Sequence, residues 1–215
     1  MLFLYNFVFL IFFQVIFSDE SSFEVNIASS RFVRVGKEPL SSNHVIQRAK
    51  HPQKVMIWGS MSHAGMGRIY VVEGYMNSSQ YMKVLRSRLI PQMNAWGRES
   101  AIFQQDSAPC HTSRIVKQFF NDHSINVLPW PGNSPDMNPI ETIWAILKRR
   151  LQQTTFTSKP ALINAILDYT TRDTDFKRQL DLTCKRLIES MPERVRHLKK
   201  AKGGHTRFWR REVCL

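Results

Sequence analysis

The chain has 215 residues, 43% of them hydrophobic and 22% charged, which suits one sizeable packed domain and excludes wholesale disorder. Its formal net charge of +13 favours a polyanionic partner, most often nucleic acid, over a basic but inert surface. The surplus is uneven: residues 148–215 hold 17 Lys and Arg against 7 Asp and Glu, whereas residues 1–147 hold 13 against 10. Cys110, Cys184 and Cys214 form no CxxC pair and no zinc spacing, so they read as reduced thiols with buried or incidental roles.

Residues 1–17 are apolar except for Asn6 and Gln14. Seventeen residues sit at the lower limit for a membrane span, and a signal peptide would want a positive start and small residues at its cleavage site. The stretch has neither, and its Phe, Val and Ile favour strand. A central strand over 12–18 is therefore expected in place of a span, and no stable membrane association. The segment 14–25 reads as a strand, a polar break at 18–22, and a second short strand. Residues 29–53, with Pro39 and Pro52, read as a long loop excursion. The run 54–62 is a strand; the turn HAGMG sends the chain back as a second strand over 68–74. From Ser78, a candidate N-cap, Tyr81, Val84, Leu85, Leu89 and Met93 recur at helical spacing.

The run 101–106 is a short buried strand ending on an acid. A helix from about Thr112 follows, with Ile115, Val116, Phe119 and Phe120 on one face, then a strand over 125–130. Residues 131–139 are punctuation, rich in Pro, Asn and Gly. An amphipathic helix starts at Ile140, and residues 159–200 are helical. There Leu180, Cys184, Leu187, Ile188, Met191, Val195 and Leu198 form a stripe interrupted by Pro192. This order predicts an α/β fold, a mixed sheet flanked by helices, with its site at strand carboxyl ends.

Three acids stand at such places. Asp19 ends the first apolar run, Asp106 ends the strand AIFQQ, and Glu141 opens the helix after the proline-rich loop. Each has a plainer role as a turn, cap or helix-dipole residue. Asp136 is a rival acid better suited to an Asx turn. Gathered together, three carboxylates repel one another unless a cation intervenes. Hard oxygen ligands suit Mg²⁺ or Mn²⁺, and two such ions about 3.5–4 Å apart serve phosphodiester chemistry.

The runs VIFSDESSF (15–23), KVMIWGSMSHAGMGRIYVVEG (54–74), FQQDSAPCHTS (103–113), LPWPGNSPDMNPIETIWAILKRRL (128–151) and SMPERVRHLKKAKGGHTRFW (190–209) resemble the mariner-like (Tc/mariner) transposase superfamily, in the family's order. The resemblance covers about residues 12–209. It implies a ribonuclease-H-like fold and a catalytic triad of Asp19, Asp106 and Glu141, with 34 residues between the last two. It implies cleavage of transposon DNA and strand transfer with two Mg²⁺ or Mn²⁺ ions, DNA and a second copy as partners, and action in the nucleus. The chain then divides into an apolar extension (1–11), a catalytic domain (12–209) with the excursion at 29–53, and a basic tail (210–215). Ser107 and Met137 stand where family members usually carry Asn and Leu. Two helical DNA-recognition domains normally precede this domain and are not found in the sequence. The expectation is a chain that does not transpose alone, binds DNA with little sequence preference, and has a catalytically inert nucleic-acid-binding remnant as its rival reading.

Other residues carry alternatives. His111 could touch DNA or a water, or satisfy a local hydrogen bond near the helix start. Trp130 and Trp144 could stack on bases or belong to the core. Lys148, Arg149 and Arg150 could bind phosphates or form a solvated helix end. Lys199, Lys200, Lys202, Arg207, Arg210 and Arg211 read as a DNA-contacting or import tail, or a merely soluble one.

Overall fold

The computed structural model describes residues 11–25, 53–97, 100–130 and 137–201. Within these residues six strands form one mixed sheet in the order β3-β2-β1-β5-β6, with β4 also paired to β2. The strands are β1 (Val15–Glu24), β2 (Lys54–Ser62), β3 (Gly65–Met66), β4 (Tyr70–Val72), β5 (Ile102–Gln104) and β6 (Asn126–Val127). The helices are α1 (Ser78–Val84), continued through a π-helical turn into α2 (Ile90–Trp96), then α3 (Arg114–Asp122), α4 (Ile140–Leu151), α5 (Lys159–Leu167), α6 (Thr174–Glu189) and α7 (Met191–Lys200). The mixed sheet flanked by helices is the expected architecture.

β1 lies at the centre, antiparallel to β2 and parallel to β5. It holds together two apolar layers because side chains alternate across a strand. Val15 and Phe17 face a cluster built with Ile57, Ile143, Trp144 and Leu147, under the later helices. Ile16 faces a second cluster with Trp58, Tyr81, Phe103 and Phe119, under α1, α2 and α3. The apolar run before SDES is thus central core. Among the described residues no helix is long and apolar enough to cross a membrane.

Several boundaries differ from the sequence reading. Strand structure starts at Val15, after a helical turn at residues 11–14, and not at residue 12. The polar run at 18–22 is no break: β1 is continuous to Glu24, because β2 pairs with it residue by residue from Phe17 to Glu24. A full backbone ladder overrides the turn preference of Ser and Asp there. Asp19 therefore sits mid-strand. The return arm over 68–74 shrinks to β4, a short β3 forms inside the expected turn at Gly65–Met66, and the strand over 125–130 shrinks to Asn126–Val127. Asn77, not Ser78, caps α1, its side chain accepting from the Gln80 amide at 2.9 Å. α3 starts at Arg114, two residues after Thr112, and Ile115 is 48% exposed while Val116, Phe119 and Phe120 are buried. The stripe from Leu180 onward is interrupted as expected, where Ser190 ends α6 and Pro192 enters the first turn of α7. The excursion at 29–53, apart from residue 53, lies outside the described residues, as do residues 1–10, Asp136, Lys202, Arg207, Arg210, Arg211 and Cys214.

One close approach sets the distance between α4 and the sheet. Gly59 pairs with Asp19 across the β1–β2 ladder, and a Cβ at Gly59 would sit 2.5 Å from Cη2 of the buried Trp144. The missing side chain is the notch into which the α4 indole fits. Gly59→Ala should overpack this contact and cost about 1–3 kcal/mol of stability. Chemical denaturation followed by tryptophan fluorescence measures it; an unchanged midpoint and spectrum would show that α4 is not seated by this notch.

Candidate active site

The three acids arrive from three elements at the same end of the sheet. Asp19 lies on β1, two residues past the last β1–β5 pair, Phe17 with Gln104. Asp106 lies two residues past the end of β5, so both strands carry their acid equally far beyond that pair. Glu141 occupies the first turn of α4. A short polar lattice fixes the arrangement. The Ser18 hydroxyl donates to the Gln104 carbonyl at 2.9 Å, locking β1 to β5. The Asn138 side-chain amide donates to the Ser18 carbonyl at 3.1 Å, and its oxygen accepts from the Ile140 amide at 3.4 Å. The start of α4 is thereby tied to the strand residue next to Asp19.

Asp19 and Glu141 are brought into direct contact. Burial raises the Asp19 carboxyl first, the charges of Glu141 and Glu20 raise it further, and its pKa reaches about 8 despite the Glu20 amide donating to Oδ1 at 2.8 Å. A hydrogen bond to Glu141 accompanies the protonated form. Asp106 is held differently. Its Oδ1 lies 2.5 Å from His111 Nδ1 and accepts the Ala108 amide at 2.9 Å. The His111 bond is the largest influence on Asp106 and depresses its pKa against the opposing effect of burial. Among the described residues no three His, Cys, Asp or Glu side chains form a group spaced to hold a metal ion: Asp19 and Glu141 are paired, and Asp106 is turned to His111.

His111 takes the local hydrogen bond foreseen for it and a distant one that was not. Its Nε2 lies 3.2 Å from Glu20 Oε1. Burial alone would lower the imidazole pKa, but the bonds to Asp106 and Glu20 raise it to about 10. It is therefore an imidazolium donating from both nitrogens. Glu20 is the site residue that sequence reasoning missed; its neighbour Asp19 drew the attention, and only strand alternation, which sends Glu20 to the opposite face, hinted at a separate role.

The remaining expectations divide. Trp144 is core, and Trp130 packs edge-on against Phe17 with centroids 5.9 Å apart. Lys148 lies over the Phe23 ring at 5.5 Å. Arg150 lies over Tyr169 and Phe176 and reaches Asp173 at 4.0 Å, while Arg149 is exposed. A cleft of about 470 Å³ opens beside Asp106, lined by Ser107, His111, Lys117, Asn121 and Trp130 among others.

A family model described as "DDE superfamily endonuclease" matches residues 14–163. The chain is 33% identical to the Tcb1 transposase of Caenorhabditis briggsae over 198 residues, covering 90% of this chain and 70% of that protein. It is 32% identical to the Tc3 transposase of Caenorhabditis elegans, covering 89% and 57%.

The chain belongs to the Tc1/mariner family of DDE transposases.

What it shares with that family is the endonuclease domain. The catalytic domain of Mos1 mariner transposase superposes with a TM-score of 0.67 at 19% identity, covering 94% of this chain and 91% of that one. The Mos1 strand transfer complex gives 0.76 at 20% identity, covering 94% of this chain and 59% of that one. The fold is the ribonuclease-H-like one expected. Other Mos1 structures are paired-end complexes with Mn or with Mg. The chain spans 70% of the Tcb1 protein but little more than half of the Tc3 protein and of the Mos1 chains in the DNA complexes.

The raised carboxyl of Asp19 makes stability pH-dependent. Its pKa is 3.8 unfolded and about 8 folded, so the folded state holds this proton more tightly; that stabilisation is full below about pH 4 and lost as pH rises through about 8. His111, raised from 6.5 to about 10, acts in the same direction at higher pH. Without divalent cations, the melting temperature should fall between pH 5 and pH 9, and Asp19→Asn should flatten most of that fall. A melting temperature that rises over this interval would contradict the paired, protonated arrangement.

Proposed function

We propose that this chain is the catalytic domain of a cut-and-paste transposase, cleaving a phosphodiester of DNA and joining the freed 3′ end to target DNA, with Asp19, Asp106 and Glu141 as its metal ligands. The observation that carries the reading is the Asp19–Glu141 pair. Two carboxylates pressed together in a partly buried site, one forced to keep a proton to about pH 8, make poor structural cement and a good ligand set for a hard cation. Asp106 Oδ2, with no hydrogen bond among the described residues, would supply the third oxygen.

When bound, a pair of Mg²⁺ or Mn²⁺ ions supplies activation of the attacking water or hydroxyl and stabilisation of the leaving oxygen. The chain's own residues do the rest. Ser18, Gln104 and Asn138 fix the ligands to the sheet. The cleft beside Asp106, with Lys117 and Trp130, offers a cationic and aromatic wall to the strand being cut. Arg149, with Lys148 and Arg150 beside it, supports phosphate contacts along α4. The Mos1 complexes support DNA ends and a second copy of the chain as partners. Action on DNA supports a nuclear location. The catalytic unit in this reading runs over 12–209, between the apolar segment 1–11 and the basic tail 210–215.

The test is incubation of the purified chain with supercoiled plasmid. Nicked circles should form with Mg²⁺ or Mn²⁺, not with chelator, and Asp106→Ala should reduce nicking at least a hundredfold. Nicking that persists in the mutant, or no nicking with either metal, would favour an inert, DNA-binding relative. Duplex DNA binding should weaken steeply between 50 and 200 mM salt, because phosphate contacts release counterions. Filter binding across that range checks it; salt-insensitive binding would remove the basic surface from the account.

A further inference from the structure

One buried group at the site has no assigned task. His111 is 3% exposed, and a buried histidine is ordinarily satisfied by one local acceptor. Here both ring nitrogens meet carboxylates from separate elements: Asp106, after β5, at 2.5 Å, and Glu20, on the face of β1 opposite Asp19, at 3.2 Å. The ring itself is clamped. Tyr81 lies against it with centroids 4.1 Å apart, the Tyr81 hydroxyl donates to Gln105 Oε1 at 2.7 Å, and Gln105 Nε2 donates to the His111 carbonyl at 3.2 Å. Tyr81 belongs to α1 and is fully buried, so the imidazole is held by the helical layer beneath the sheet.

The consequence falls on Asp106. As a half-exposed acid beyond the end of a strand, it would otherwise sample several rotamers. Two donors, His111 Nδ1 and the Ala108 amide, converge on Oδ1. Oδ2 is left as the oxygen without a protein partner among the described residues.

We infer that His111 is a positioning residue: braced by Glu20 on the far side of β1, it fixes the Asp106 carboxylate in one orientation and thereby leaves Oδ2 as its metal-binding oxygen. The inference rests on the reading of Asp19, Asp106 and Glu141 as metal ligands. Glu20 itself is no ligand; it acts through the imidazole. Partners behind a ligand orient it, and their loss typically weakens metal binding by about 10–100-fold.

The experiment titrates the full chain with Mn²⁺ alone and counts free Mn²⁺ by electron paramagnetic resonance, with circular dichroism as a check on folding. Wild type should bind, and Asp106→Asn should lose most of that binding. His111→Ala should weaken Mn²⁺ binding about tenfold or more, and Glu20→Gln several-fold. The double variant should lose little beyond His111→Ala, because Glu20's hydrogen bond to the site runs through the imidazole and only its charge reaches Asp19 directly. Weakened binding beside unchanged circular dichroism separates this from a purely structural role. Mn²⁺ binding that is absent, or indifferent to Asp106→Asn, would overturn the metal reading and this inference with it. Binding that depends on Asp106 but is unchanged in His111→Ala and Glu20→Gln would overturn the positioning role alone. A double variant in which the two single losses combine in full would show that Glu20 acts independently of the imidazole and also overturn it. If His111→Ala does not fold, His111→Gln and Glu20→Gln decide: unaltered affinity in both overturns the inference.

Discussion

Everything at this site depends on two carboxylates being held against each other where water cannot fully separate them. Asp19 and Glu141 repel when both are ionised, and burial magnifies the repulsion. The pair persists because α4 has reasons of its own to lie on the sheet. Ile140, Ile143, Trp144, Leu147 and Leu151 are all buried on that helix, each contributing roughly 1.5–3 kcal/mol by burial. The apolar face fixes where the helix goes, and Glu141 in its first turn is carried along. The acid pair is thus maintained by packing that is indifferent to charge.

The central strand organises the rest by alternation. One face of β1 presents Asp19 to α4, and the other presents Glu20 to His111, beneath α1 and α3. Asp106, at the end of the neighbouring strand, is reached from that second face by the imidazole. The two helical layers therefore each act on an acid of this end of the sheet: the first brings Glu141 to Asp19, and the second bonds Asp106 through His111. Tyr81 links the second layer to the loop after β5 through Gln105, so the position of α1 bears on an acid that it does not touch.

Much of this was legible in the sequence, for reasons that can be named. Apolar periodicity located α3, α4 and the later helices because their buried faces repeat at helical spacing. A mostly apolar stretch of nine residues identified β2 because a strand covered on both faces has no polar side to show. The acids stood out because strand ends and helix starts are read from their neighbours. Motif order then carried the family. What failed was local. The polar stretch SDES looked like a turn, since Ser and Asp favour turns, yet the β2 ladder outweighed that preference. Ile115 fitted an apolar stripe but faces outward, because three residues suffice to seat so short a helix.

The sequence by itself determined the kinds and order of the chemical groups: three acids in sequence, each beside an apolar run, with a basic final third. It could do so because hydrophobic pattern and turn chemistry are local properties. Only the tertiary structure decided which groups meet. That Asp19 faces Glu141 while Glu20 faces His111 follows from the register of β1 between β2 and β5, and a shift of one residue would exchange them. That Gly59 must lack a side chain follows from Trp144, which is 85 residues away in the chain and in contact in space. Contacts of this kind come from packing between distant segments, and no local pattern in the sequence encodes them.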